Sequence, residues 1–319
     1  MADVPLIPRT RLFGNPSRAQ GRLSPDGAWI SWLAPRDGVM NIWIAPRADI
    51  ASARPLTNER ARPIPTYFWA PDSASILFVN DQGGDENFRL FSVAAEGGQT
   101  RVLTPFEKTR TQILHVSRQV RDRILIGLNN RDPRWHDVYA LNLSDGALTL
   151  AFQNDGFTGF VADEALNLRR AARPRADGGL DYFAIENGKA GETPVDTITL
   201  DDSAVTGPLH FTADGATLYW FDSRGRDTAA ILAEDVKSGA REVIAADPRV
   251  DLLAGLFHPL TRRIEAFAAT YLKTEWTALD PAVKDDLAFL QGELKGEIAI
   301  ASRTYANDLW LLSVDPVDQ

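Results

Sequence analysis

Apolar and polar positions alternate along this chain in short β-type stretches, roughly four to eight residues each, separated by turns rich in Gly, Pro, Asp and Asn. The run Leu23-Ser24-Pro25-Asp26-Gly27-Ala28-Trp29-Ile30-Ser31-Trp32 is an apolar stretch, a Pro-Asp-Gly turn and an alternating stretch. Its turn returns as Ala70-Pro71-Asp72-Ser73, with weaker copies at Ser117-Arg118, Ala162-Asp163, Thr212-Ala213-Asp214-Gly215, His258-Pro259 and Ser302-Arg303. Anchored on Ser24, Ala70, Ser117, Ala162, Thr212, His258 and Ser302, the intervals are 46, 47, 45, 50, 46 and 44 residues. A second set of markers is the polar residue that opens a later β-type stretch: Asn41, Asn87, Asp137, Asp181, Asp227 and Glu275, spaced by 46, 50, 44, 46 and 48 residues. Two rulers without a shared residue give one period, which is the mark of stacked or radial units.

Each unit reads as four short strands, in the first unit near residues 18–24, 29–34, 41–45 and 54–57. Four-stranded units set radially bury each other's faces and leave only short edges, so the predicted fold is an all-β, seven-bladed β-propeller. The units begin near residues 18, 64, 111, 156, 206, 252 and 296, and residues 1–319 form a single propeller domain. Six blades are expected to be complete. The seventh is open: it supplies a first strand at 297–302 and a second at 309–314 before the chain reaches Gln319. Residues 3–13 offer at most one further strand, interrupted by Pro5 and Pro8, so the natural polypeptide is expected to continue beyond Gln319. One short helix is predicted near 281–291, with Pro281 in its first turn after Asp280, apolar Val283, Leu287 and Leu290 on one face, and Gly292 as terminator.

Composition narrows the partners. With 44% apolar residues the chain can bury a core, and a net charge of −9 repels the phosphates of nucleic acid and of anionic membranes. There is no cysteine, so disulfides, thiolate metal sites and a cysteine nucleophile are excluded. The first residues lack a basic stretch followed by an apolar one, and no 18 apolar residues run together, so a cytoplasmic or periplasmic chain is expected. Gly-x-Ser-x-Gly, Gly-x-x-x-x-Gly-Lys-Ser/Thr, Gly-x-Gly-x-x-Gly and His-Glu-x-x-His are all absent. No catalytic residue, metal site or cofactor is therefore assigned. The four histidines, His115, His136, His210 and His258, are read as structural. A hydrolase or lyase site in the central channel would need convergent carboxylates or histidines, and innermost stretches such as 18–24 and 113–117 supply too few.

The loops between second and third strands lie on one common face and are unusually charged: Arg36-Asp37-Gly38, 81–86, 129–136 and 222–227. Function concentrates on loops held by a rigid scaffold, and Asp85, Glu86, Arg131, Trp135, Arg224 and Arg226 are the candidate binding residues. The competing reading is that these Arg and Asp side chains pair across blades and fix registry. Trp29, Trp32, Trp43, Trp69, Trp220, Trp276 and Trp310 fall in predicted strands and read as core. Trp135, in a charged loop, is the exception.

Several longer strings, in order, resemble the N-terminal propeller of bacterial S9-family serine peptidases, the prolyl oligopeptidase and acylaminoacyl-peptidase group. They are Leu12-Phe13-Gly14-Asn15-Pro16, Ser24-Pro25-Asp26-Gly27, Gly83-Gly84-Asp85-Glu86-Asn87, Leu103-Thr104-Pro105-Phe106, Arg131-Asp132-Pro133-Arg134-Trp135-His136-Asp137, Asp222-Ser223-Arg224-Gly225-Arg226-Asp227-Thr228 and Ser302-Arg303-Thr304. The resemblance implies a propeller that caps an α/β-hydrolase domain in cis and gates the entry of peptide substrate. That domain has no counterpart in these residues, so no triad residue is carried over. The alternative is a stand-alone, TolB-like propeller acting as a protein-interaction platform. A docking face left uncovered would also favour self-association.

Overall fold

The period has a local cause. In the first unit Ser24 donates to Asp26 at 2.6 Å and accepts the amide of Trp29 at 2.9 Å, while Asp26 takes the amide of Ala28 at 3.0 Å. Thr212 and Asp214 repeat the arrangement, at 2.6 Å to each other and 3.0 Å from the amide of Thr217. These side chains satisfy amides that a tight turn leaves unpaired. The residue that completes the turn is left-handed in six units: Gly27, Ser73, Leu166, Gly215, Arg262 and Asn307 all have φ between +59° and +74°. Gly27 and Gly215 adopt it freely, whereas a side chain there costs about 1–3 kcal/mol. One backbone bond spans each of these turns, including Ser24 to Trp29, Thr212 to Thr217 and His258 to Arg263. It also joins Asp163 to Asn167 and Thr304 to Leu309. The structural anchors of the fourth and seventh units are therefore Asp163 and Thr304, one and two residues beyond the positions expected from sequence, and the last interval becomes 46 residues from His258.

The computed structural model describes residues 6–316. Blade one runs Ala19–Leu23, Trp29–Arg36, Val39–Pro46 and Arg54–Pro55, each strand antiparallel to the next. Blades two, three and five also have four strands in sequence order. In blade four both Lys189–Ala190 and Asp196–Ile198 pair with Leu180–Glu186. Blade six has three strands, Ala254–Phe257, Ile264–Thr270 and Thr274–Ala278, and a two-stranded hairpin follows, Glu297–Arg303 with Trp310–Asp315.

The described residues thus form six blades and a hairpin, which corrects the expectation of seven blades with six complete. The reason lies after residue 278. Asp280 accepts the amide of Ala282 at 2.9 Å, Pro281 starts a 3-10 turn, and Lys284–Glu293 continues as a helix. Its apolar side packs Val283 and Leu287 against Trp276 and Ala278, covering the third strand of blade six. Gly292 is inside the helix rather than its terminator, since the first extended residue is Leu294. At the other end Arg9–Phe13 is a short helix rather than a strand, while residues 3–5 of that predicted stretch lie outside the described residues.

Hydrophobic clusters form mainly between blades, although one, around Trp32, Ala34 and Ala45, lies within blade one. Leu33, Ile42 and Ile44 of blade one pack on Tyr67, Ile76 and Phe78 of blade two. Ala172, Tyr182 and Ile198 of blade four pack on Phe211 and Trp220 of blade five. Each fully buried side chain of this size contributes roughly 1.5–3 kcal/mol. The seven strand tryptophans all lie in strands as expected.

Among the described residues the ring closes without a shared sheet. The hairpin meets the innermost strand of blade one through Ser302, which accepts the Leu23 amide at 3.1 Å. The Tyr305 amide reaches the Pro25 carbonyl at 2.8 Å. Leu311 lies so close to Gly21 that a Cβ there would meet it at 3.1 Å.

Candidate functional site

Strand alternation puts the second-to-third loops and the blade-to-blade linkers on one face, and the first-to-second turns on the other. The six candidate residues belong to the former face, but they differ in what they do. Asp85 is exposed and caps its own loop, accepting the amides of Gln82 and Asn87 at 3.3 and 3.1 Å. Glu86 is exposed and left-handed (φ +57°), with its amide on Asp81 at 3.1 Å. Arg226 is exposed, and its amide closes the loop onto Ser223.

Arg131 and Arg224 are structural in their contacts. Arg131 binds Asp137 and also the Asn154 carbonyl at 2.7 Å and Asp155 at 3.0 Å, tying blade three to the linker that follows it. Arg224 chelates Asp222 and reaches Asp196 of blade four at 2.6 Å. Arg241 adds a second bridge to Asp196 and lies 4.2 Å over the Trp220 ring. Burial pushes the Asp222 carboxyl up, but hydrogen bonds from Arg224 more than offset this and hold it below the usual carboxylate value. The network joins blades four and five, which is the registry role weighed from sequence.

Trp135 is not in a loop. The second and third strands of blade three extend to Asp132 and from Trp135, leaving only Pro133 and Arg134 at the turn. Trp135 is half-buried and faces a cleft shared with Gln112, His136, Phe157 and Phe160. His136 Nε2 is buried there without a hydrogen-bond partner.

Sequence reading missed a second cluster, on the axis at the opposite face. Glu164, 2% exposed, has Arg262 at 3.3 Å, His115 at 3.8 Å and Arg118 at 4.0 Å. Its other oxygen accepts Ser117 Oγ at 3.2 Å and the Arg118 amide at 2.7 Å. Gln119 reaches the Ala213 carbonyl at 3.1 Å, and Arg121 lies 5.8 Å over the Tyr305 ring. These contacts join blade three to blade five and to the hairpin, and blade four to blade six, so they cross the axis. Burial, followed by repulsion from Arg118, lowers the Arg262 guanidinium to about 10. Burial, with Arg262 adding to it, lowers His210 to about 3, leaving a neutral imidazole at neutral pH. The channel therefore holds more titratable groups than the innermost strands suggested, because Glu164, Arg118 and Arg262 enter from turns. Among the described residues no group of three or more His, Asp or Glu is arranged to hold a metal ion, and no helix is long and apolar enough to cross a membrane.

No family model matches the chain. Dipeptidyl aminopeptidase BIII of Pseudoxanthomonas mexicana is 41% identical over 314 residues, covering 98% of this chain and 45% of that enzyme. The chain spans about half the length of the curated relatives it matches, 45% of each. Dipeptidyl peptidase 4 of Porphyromonas gingivalis superposes with a TM-score of 0.51 at 16% identity, over 94% of this chain and 50% of the other. The β-propeller domain of the Trilobed protease from Pyrococcus furiosus, described as having an open velcro topology, superposes with a TM-score of 0.50 at 16% identity, covering 82% and 78% of the two chains. Sequence likeness along the whole chain to a dipeptidyl aminopeptidase, together with the shared propeller fold, makes this protein similar to the propeller domains of S9-family peptidases.

Proposed function

We propose that this propeller docks in cis on an α/β-hydrolase catalytic domain and controls which peptides reach it, using the face built from the second-to-third loops and the linkers. The observation that carries the reading is the placement of the cross-axis contacts. Glu164–Arg262, Gln119–Ala213 and Arg121–Tyr305 all lie in first-to-second turns, so the axis is laced at that end. Among the described residues no such cross-axis contact lies at the other end. A chamber would then form between the open end and a catalytic domain, and peptides would enter it from the side. The likeness to a dipeptidyl aminopeptidase supports a peptide as the substrate class.

The test is fluorophosphonate labelling of the endogenous protein, captured with an antibody to this propeller and sized on a gel. A labelled band well above 35.1 kDa is expected. An unlabelled band at the chain's own mass would sink the reading.

A further inference from the structure

The open face carries a groove whose chemistry is the reverse of the chain's net charge. Two adjoining clefts share Gln112 and Leu114 of the innermost strand of blade three, Thr111–His115. One runs toward Trp135, His136 and Phe157, and the other toward Phe88 and Arg110. Neither is lined by a single Asp or Glu, in a protein with 43 of them against 34 Lys and Arg.

The acidic groups nearby already have partners. Asp132 is chelated by Arg134 at 2.8 and 3.1 Å, while Asp137 and Asp155 are held by Arg131. Arg110 is different: it is exposed, forms no ion pair among the described residues, and lies 5.7 Å over the Phe88 ring. Its backbone is fixed, since its amide donates to Asn129 at 2.7 Å and Asn129 in turn holds the Pro133 carbonyl at 3.2 Å. The backbone that carries this cation is therefore held, and the guanidinium has no ion-pair partner among the described residues. In the adjoining cleft Phe157 and Phe160, 6.2 Å apart, form an aromatic side, and Arg173 packs on Phe157 at 4.4 Å. His136 also lines this cleft, with its Nε2 buried and without a hydrogen-bond partner.

We infer that this groove is a peptide subsite that takes an apolar or aromatic side chain against Trp135 and Phe157 and binds an adjacent peptide carboxylate on Arg110. Charge complementarity carries the choice of occupant: a cation with no ion-pair partner among the described residues, in a groove lined by no carboxylate, favours an anionic group over an amine. The inference rests on the reading that this face meets peptides, and it adds the chemistry of the ligand.

The experiment is calorimetric titration of the chain with three probes: N-acetyl-Ala-Ala-Phe with a free C-terminus, its amide, and N-acetyl-Phe-Glu-amide. At least one acid is expected to bind roughly tenfold more tightly than the neutral amide, the usual worth of a charged hydrogen bond. Which acid wins distinguishes a terminal from a side-chain carboxylate. Arg110→Ala should reduce that acid to the amide's affinity, and Arg110→Lys should restore part of the difference. Because Arg110 is exposed, both variants should keep the wild-type circular dichroism spectrum. Equal affinity for acid and amide, no binding of any probe, or an unchanged preference in Arg110→Ala would overturn the subsite. If the fluorophosphonate experiment gave a labelled hydrolase all the same, the docking reading would survive that result.

Discussion

Arg131 grips Asp137 through two parallel hydrogen bonds of 2.8 and 2.9 Å, and the same carboxylate accepts the Asn154 amide at 2.7 Å. Asp137 is 1% exposed, so the pair converts a charged hairpin into an anchor for the linker to blade four. Asp137→Ala should destabilise the protein by about 2–3 kcal/mol, because a buried amide and a guanidinium lose their acceptor together. A fall in the urea midpoint without a change in slope would show it. A wild-type midpoint would contradict the anchoring role.

Acid should act on the same pair. Burial raises the Asp137 carboxyl, but the Arg131 and Asn154 hydrogen bonds outweigh it and leave the group below its ordinary value of 3.8. The folded state then binds its proton less readily than the unfolded chain. The stabilisation is present above about pH 4 and is lost as pH falls through the folded-state value. Asp137→Asn should remove that part of the acid sensitivity in thermal melts at pH 4 and below.

His210 gives a different window. Burial and the nearby Arg262 lower it from 6.5 to about 3, so between those values the unfolded chain takes a proton that the folded protein refuses. Stability should decline as pH falls from 6.5 toward 3, by about 1.4 kcal/mol per pH unit for one proton. His210→Phe retains an aromatic ring against Phe257 and Tyr219 and should flatten the profile. A variant profile parallel to wild type would exclude His210 as the source.

The buried pair Arg303–Glu265, 2.7 Å apart and 6% and 2% exposed at the side chains, joins the hairpin to blade six. Arg303 also bonds the Phe257 carbonyl and Asn307. Glu265→Ala strands a buried guanidinium and should cost about 3–5 kcal/mol. Amide exchange in Glu297–Arg303 should rise more than in blade three. Uniform protection across both would show that the pair does not hold the hairpin.

On the axis, Glu164→Ala leaves Arg118 and Arg262 facing each other and the Arg118 amide without its acceptor, while Ser117 keeps its bond to the residue-164 carbonyl. A loss of about 3 kcal/mol or more is expected, with faster amide exchange in the turns around Ala213 and Tyr305. Glu164→Gln keeps the hydrogen bonds and should lose less. An Ala variant as stable as wild type would dismiss the lacing as incidental.

The period was legible because a hydroxyl and an Asp at the first turn leave a sequence trace, as at Ser24–Asp26 and Thr212–Asp214. The left-handed position was legible only at Gly27 and Gly215. Ser73, Leu166 and Arg262 take the same conformation against their preference, held by the surrounding blade, so composition conceals them. The helix after blade six was legible from Pro281 and the spacing of Val283 and Leu287, but not that it would pack on Trp276 and Ala278 where a fourth strand was expected. At the site, Arg131 and Arg224 were recognisable as charged loop residues, but Asp196 lies 28 positions from Arg224 and on another blade. Arg110 left no trace at all, since its meaning depends on the carboxylates that do not surround it.

The seam between Leu23 and Ser302 gives the ring a circular shape but a linear connectivity. Every blade is stapled internally by a ladder of backbone bonds, whereas the seam holds side-chain packing and a few hydrogen bonds. Parting it would unravel no sheet, but would also have to break the contact of Arg121 with Tyr305 across the axis. The molecule can therefore be treated as a ring of coupled units with one weak joint, braced across the axis at one face, and that joint should loosen before any blade does.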